Sequence, residues 1–509
     1  MRRALLSVLI VSLTLLGAAF ADPPPQTRPI MLNVPSAGSD LPDMGSPAAA
    51  YISRTDEFRL GAMIERELRD QNALLEDPEV SEYLQGLGQR LAAQSADGGR
   101  DFHFYVIKDD SINAFAIPGG FIFVHQGLIL ATTTESELAS VMAHEIAHVT
   151  QHHIARQIRA QSQQSLGTAA AMMAAILLGA AGGGQAAMAG ISAAQGIAIQ
   201  QQINFTRDNE EEADRVGIGY LAGAGFDANS MGSFFEMLSR REGLAATYIP
   251  KMLIDHPVTT DRIAEAKARA AQFPPRTGHD SLSYPLIRER VRVLSTGADV
   301  DLLAQYERKV QRNEADLAQQ YGYALELMDH NRAEEAIKVL QPLVKEHETL
   351  TLLQIALAQA LAKAGHNKES LAYFAHIAQL FPRNVAVIVR YAQELMLVGK
   401  PMEAHNMLLD LFNNVPPTPD QIRLIALAAS AGGDAGDAYF YMGEYQLAGG
   451  NLALAAQQLQ LALATPHINS IQRARYQARL DEVNEYLLSM RKRQLGEGGG
   501  QQQGNGPHS

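Results

Sequence analysis

The sequence predicts a mainly α-helical chain with a small β-sheet, organised as an α+β domain followed by an α-helical solenoid of repeats. Three observations carry this expectation. Residues 141–150, Val-Met-Ala-His-Glu-Ile-Ala-His-Val-Thr, set two histidines four positions apart in an apolar helical stretch. Two short runs rich in Phe, Val and Ile, residues 102–107 and 120–125, have the composition of strands. From Ala324 onward, small residues recur at intervals of 34, a period that belongs to stacked helix pairs.

Residues 1–21 have the form of a cleaved export signal. Arg2 and Arg3 make a basic start, Ala4 to Gly17 an apolar run, and Ala19-Phe20-Ala21 a small-x-small cleavage site. No Cys follows that site, which excludes a lipoprotein signal, and the apolar run is short for a membrane anchor. The expectation is a soluble, exported protein. Residues 22–50, rich in Pro, Ser and Gly, read as a linker. The chain has no cysteine at all, which rules out disulfides, thiol catalysis and Cys-ligated zinc and suits an oxidising compartment. Formal charge is −13, and losing Arg2 and Arg3 with the signal gives −13 − 2 = −15. An acidic surface argues against nucleic acid and against charge-driven binding to anionic membranes.

The 509 residues suffice for two or three cores, the first expected over 51–275. Residues 54–94 read as helical, with Glu65, Glu67, Arg69 and Asp70 on the polar side. The two strand-like runs are joined by residues 113–120, Asn-Ala-Phe-Ala-Ile-Pro-Gly-Gly, whose Pro-Gly-Gly marks a turn or a strand edge. An extended peptide can pair with such an edge through its backbone, so Asn113, Ala114 and Phe115 are candidate substrate-binding residues. Thr134 followed by Glu137 spells a capping box at the start of the His-Glu helix. Leu138, Val141, Met142 and Ile146 then form an apolar stripe that buries it.

His144 and His148 stand a little over one turn apart, so both imidazoles leave the same helical face and can grip one metal ion. Glu145, one step round, can reach a polarised water without binding the metal. Two imidazoles, an open coordination position and a carboxylate base are the layout of a zinc protease. A third ligand is required. Positions 151 and 154 are Gln and Ile, so the three-His pattern of one zinc-protease class is absent. His152 falls on the same helical face, but two turns from His144 it is too far to share an ion and reads as an exposed neighbour. The better candidate lies in residues 207–215, where Glu210 and Asp214 are one turn apart. There Glu210 serves as the ligand and Asp214 orients a ligand imidazole. Two histidines and a carboxylate also suit iron; the helical His-Glu-x-x-His context favours zinc, one ion per chain.

His144-Glu145-x-x-His148 with Glu210-x-x-x-Asp214 about sixty residues on resembles the M48 metallopeptidases, and the Asn113-Ala114-Phe115 edge fits the same pattern. The resemblance extends from the signal to the C-terminal helices in a periplasmic branch of that family. It implies a zincin-like metalloprotease domain and a periplasmic location. It further implies that His256, before Pro257, is an extra zinc ligand holding the enzyme latent, and that Arg262 aids the transition state or the latch. The implied partners are unfolded or misassembled outer-membrane proteins and the machinery that assembles outer-membrane β-barrels, with a chaperone-like role beside proteolysis.

No residue strictly between Arg159 and Arg207 carries a formal charge. Three readings of this stretch stand: a helical hairpin on the protease core, an apolar flap that touches a membrane or substrate near the site, and a membrane span. The repeats follow, in a second domain expected over 276–493. Ala324, Ala358 and Ala392 are 34 apart; Ala336, Ser370 and Ala404 lie twelve residues after each. Small residues there let paired helices approach, which is the tetratricopeptide pattern, and such arrays bind polypeptides on a concave face. A further unit fits around Gly443 and Ala455, out of phase, with an extra helix near Gln421 to Ala431. Residues 494–509 read as a flexible Gly/Gln tail. The expected activity is peptide-bond hydrolysis, with Glu145, Asp214 and Arg262 as catalytic residues and His144, His148, Glu210 and His256 around the metal. The rivals are a chaperone or scaffold with a closed structural zinc site, and a membrane-embedded protease.

Overall fold

The computed structural model describes residues 54–95, 101–154, 156, 207–244, 252, 256–275, 280–297 and 300–499. The expected signal, the linker, the uncharged stretch and residues 500–509 of the tail lie outside the described residues. Among those described, no helix is long and apolar enough to cross a membrane.

A three-stranded sheet of β1 (His103–Ile107), β2 (Ala114–Ile117) and β3 (Phe121–His125) has the order β1-β3-β2, with β1 parallel and β2 antiparallel to β3. β3 is central and all five of its residues are buried. Pro118-Gly119-Gly120 makes the turn into it. Gly119 has φ +88°, and a Cβ there would stand 2.7 Å from Phe58 Cα, so only glycine lets the turn lie against the neighbouring helix. The 113–117 segment is indeed the sheet edge. His125 N donates to Asn113 O, so the alternation of an antiparallel ladder turns residues 113, 115 and 117 toward β3 and the backbone groups of 112, 114 and 116 outward.

The helix expected over 54–94 is two helices, α1 (Arg54–Asp70) and α2 (Pro78–Ala92). Pro78 would be costly inside a continuous helix but suits a first turn, and Asp77 caps the new start by accepting from Val80 N at 3.1 Å. Glu65, expected on a solvated face, is instead buried at 1% exposure and ion-paired with Arg69. Its face of α1 is covered by Asp420 and its neighbours from the repeats, which α1 alone does not announce.

After α3 (Gln126–Ala131), α4 (Glu135–Thr150) carries the His-Glu pattern. Leu138, Val141, Met142 and Ile146 are at most 2% exposed, and α4 is buried almost all round. Thr134 caps it by accepting from Glu137 N. The reciprocal half of the expected box is displaced: Glu137 Oε2 accepts from Thr133 N at 2.7 Å. Against α4 pack α5 (Arg207–Gly223) and α6 (Asn229–Leu244), and α7 (Thr260–Ala270) lies over α5 and α6.

Beyond α8 (Ser283–Ser295) and α9 (Leu302–Gln311), helix pairs follow in regular order. They are α10/α11 (Leu317–Asp329, Ala333–Glu346), α12/α13 (Thr351–Lys363, Asn367–Leu380), α14/α15 (Val385–Leu397, Pro401–Phe412), α16/α17 (Pro419–Ala431, Ala435–Ala448) and α18/α19 (Leu452–Ala464, Ser470–Gly499). The six small residues singled out by the period are all fully buried, and Ser370 Oγ donates to Ala358 O of the paired helix. The helix near Gln421 to Ala431 is present, but the expected phase shift is not. Pairs begin at 317, 351, 385 and 419, each 34 after the last, and Ala426 and Ala438 continue the small-residue register. The last helix runs on to Gly499 rather than stopping at Arg493; Gln494 and Leu495 favour a helix, and each later Gly costs only about 1 kcal/mol.

The repeats do not hang free. One apolar core runs from α2 and the sheet through α4 to α12. Beside it, Asp77, Glu79 and Glu82 of α2 and its cap meet the array. Arg290 donates to both Asp77 oxygens at 2.7 Å, and Arg390 to Asp77 and Glu79. Glu82 accepts from the first backbone amides of α14, at Val385 and Ala386.

Candidate metal centre

Helical spacing and one close crossing build the site. α5 places Glu210, Asp214 and Gly217 at i, i+4 and i+7, one face. A Cβ on Gly217 would stand 3.1 Å from His144 N and 3.2 Å from Ala143 O. Glycine thus lets α5 lie this close to α4 without a tight Cβ contact, bringing its two acids onto the histidines. His144 Nε2 is 2.9 Å from His148 Nε2, and Glu210 carboxylate oxygens lie 3.5 and 3.6 Å from those two nitrogens. His256 arrives from the loop before α7, its Nδ1 2.9 Å from Glu210 Oε1. All four residues are buried, and one donor atom from each lies within 4.8 Å of the others.

This donor set fits zinc. A tetrahedral ion with ligands at about 2.0–2.1 Å holds them roughly 3.3 Å apart, close to the His–Glu separations. Charge agrees. Burial should depress the His144 imidazole, yet Asp214 and Glu210 outweigh it and push it up to about 10. His148, buried against other imidazoles, is pushed well below its usual value and stays a neutral donor. With no ion bound, His144 therefore holds a proton that a metal must displace, while His148 already offers its lone pair.

Around the donors, His144 Nδ1 lies 2.9 Å from Asp214 Oδ1. Asp214 is gripped in turn by Arg262, whose Nε and Nη2 donate to its two oxygens at 2.7 and 2.9 Å. Burial would raise Asp214; the hydrogen bonds from His144 and Arg262 hold it below the usual carboxylate range. Arg262 Nη1 also donates to Pro257 O at 2.7 Å and lies 3.0 Å from Glu210 Oε2. Thr259, the cap of α7, accepts from Arg262 N and so fixes where this side chain starts. Glu145 is buried outside the donor group, with Oε1 3.7 Å from His256 Nε2.

The structure thus brings together Glu145, His144, His148, Glu210, Asp214, His256 and Arg262. The edge residues stand apart as a strand: Asn113 and Ala114 are buried and Phe115 half-buried, so the edge offers outward backbone groups, less the Ala114 N–H, which donates to Asn113 Oδ1 at 3.0 Å. His152 is not on the ligand face. α4 ends at Thr150, and His152 takes a left-handed φ of 54°. That turn swings His153, which the sequence did not single out, back under the site: fully buried, its Nδ1 is 2.7 Å from His148 Nδ1. The only hint in the sequence was the His-His pair after the helix.

The sequence profile of peptidase family M48 matches residues 78–270. A putative beta-barrel assembly-enhancing protease of Vibrio cholerae is 36% identical over 457 residues, 89% of this chain and 94% of that protein. The chain belongs to that family of M48 peptidases. The beta-barrel assembly-enhancing protease of Escherichia coli is 32% identical over 95% of this chain and 97% of its own length. The mitochondrial metalloendopeptidase OMA1 of Schizosaccharomyces pombe is 29% identical over 32% of this chain and 44% of its own. With the buried donor set, these similarities make the chain a zinc metalloendopeptidase.

Proposed function

We propose that this enzyme works in the periplasm on outer-membrane β-barrel proteins, degrading or helping to assemble them, and that His256 holds it latent. The substrate class is supported by the printed names of full-length relatives, and the location by the signal-like residues 1–21. His144, His148 and Glu210 would hold the zinc. When bound, zinc supplies Lewis-acid polarisation of the scissile carbonyl and the attacking water. Glu145 takes the water's proton and passes it to the leaving amine. Asp214 sets the His144 ring, and Arg262, with its nitrogens engaged inside the protein, positions Asp214 and the Pro257 turn. The substrate strand pairs with the outward carbonyl of residue 114 and the outward groups of residue 116, while the tetratricopeptide-type array binds the unfolded chain or the assembly machinery. The uncharged stretch gives peripheral contact with a membrane or greasy substrate.

One observation carries the latch. Met252 N donates to Ile112 O, an outward acceptor at the head of the β2 edge, and His256 four residues on reaches Glu210. Met252 is a helical residue whose own carbonyl accepts from His256 N at 2.7 Å, so a single backbone hydrogen bond ties it to the edge and sets the residue that reaches the metal donors beside it. Four donors around an ion also suit a closed, structural zinc site in a chaperone, and the same experiment separates the two. Cleavage of an unfolded outer-membrane protein is measured for wild type, Glu145→Gln, His256→Ala and the double variant. The latch predicts faster cleavage by His256→Ala and none by either Glu145→Gln form. Equal or absent cleavage by all four, with zinc retained, gives the chaperone reading precedence.

A further inference from the structure

We propose that His153 is the positioning residue of the metal ligand His148, matching what Asp214 does for His144. This rests on His148 being a zinc ligand. A histidine that binds metal through Nε2 carries its proton on Nδ1 and needs an acceptor there. The atom facing His148 Nδ1 is His153 Nδ1, at 2.7 Å, with the rings crossed at 77°. To accept, His153 must carry its own proton on Nε2. That nitrogen lies 3.2 Å from Glu212 Oε2, and a carboxylate accepts it. Arg156 Nη2 donates to the same oxygen at 2.8 Å. The hydrogen bonds therefore have one consistent direction, His148 to His153 to Glu212, with an arginine fixing the outer end.

His153 does not join the donor group itself, and packing alone does not account for its position. On an unbroken helix it would project about 140° away from His148. It reaches His148 because the chain reverses at His152, a left-handed conformation that an L-residue adopts at some cost. The two ligands of α4 are thus supported differently. His144 leans on a carboxylate clamped by Arg262. His148 leans on a neutral ring whose acid lies one hydrogen bond further out.

The test incubates the full chain with zinc and removes the excess, in wild type, His153→Ala, His153→Leu, His153→Gln, Leu459→Ala and His148→Ala, the last expected to keep no stoichiometric zinc. The readouts are the rate of zinc release to a chromogenic chelator and the visible spectrum of the cobalt-loaded protein. His153→Ala and His153→Leu should release zinc about 10–100-fold faster, with an altered cobalt spectrum. His153→Gln, which keeps an acceptor oxygen and a donor amide, should recover most of the wild-type rate. Leu459→Ala, a core deletion in the distant array, controls for general loss of stability and should release zinc as wild type does. A wild-type release rate from His153→Leu overturns the proposal even where His153→Ala fails to fold. A wild-type rate from His148→Ala overturns instead the assignment of His148 as ligand.

Discussion

Two buried clusters of charge are carried by the packed helices α4 and α2, and they are built on opposite plans. At the metal centre, His144, His148, Glu210 and His256 turn their donor atoms toward one another, and Arg262, bonded to Asp214, also stands 3.0 Å from Glu210 Oε2. At the junction with the repeats, the acids Asp77 and Glu79 are met head-on by Arg290 and Arg390, and Glu82 by the amides of α14. One cluster is completed by an ion from outside, the other by the protein itself. Burial of acids does not by itself mark a functional site; what distinguishes this one is the convergence of three imidazoles on one carboxylate.

The comparison can be broken at either end. The largest effect should come from the first cluster: His148→Ala should abolish stoichiometric zinc binding, measured by metal analysis after dialysis, and with it proteolysis. The junction should stay intact, so the zinc-free variant should unfold at the same denaturant midpoint as zinc-stripped wild type. Next in size is Arg290→Ala, which leaves Asp77 and Glu79 buried with only Arg390. Removing one partner of a buried ionic cluster costs about 3–5 kcal/mol, so the denaturant midpoint should fall sharply. Zinc per chain should not change. Loss of zinc in folded Arg290→Ala would show that the two clusters are energetically one.

A third cluster sharpens the contrast by lying between the two plans. Glu65 of α1 and Asp420 of α16 share Arg69, with Glu76 close by. Burial, only partly offset by Arg69, pushes both Glu65 and Asp420 up to about 7. A carboxyl raised on folding binds more protons folded than unfolded. Its stabilising contribution is therefore full below the unfolded value, near 4.5 for Glu65, and is lost as pH rises through about 7. Wild type should lose up to about 3 kcal/mol from this group between pH 5 and 8. Glu65→Gln should flatten that slope in denaturant titrations, and an unchanged slope would place the ionisation elsewhere.

Much of this was legible in the sequence because it is local. The His-Glu-x-x-His spacing, the Glu210–Asp214 turn and the 34-residue rhythm are each fixed by helix geometry within one or two turns. What escaped depended on the backbone reversing or on distant partners. His153 is invisible until His152 turns left-handed. Glu65 looks solvated until Asp420 arrives from far along the chain, and Gly217 looks like a helix weakness until α4 is laid against it. Gly443 resembles the small position of a repeat and so points to an out-of-phase fourth unit, although Ala426 and Ala438 hold the register.

The central claim is that His144, His148 and Glu210 hold a catalytic zinc for which Glu145 is the base. It is tested most directly by measuring zinc content and peptide-bond cleavage together in the full chain carrying Glu145→Gln, on the His256→Ala background. The account predicts one zinc per chain, bound as tightly as in His256→Ala alone, and a loss of cleavage of at least about 10²–10⁴-fold. Cleavage undiminished with zinc in place would contradict it.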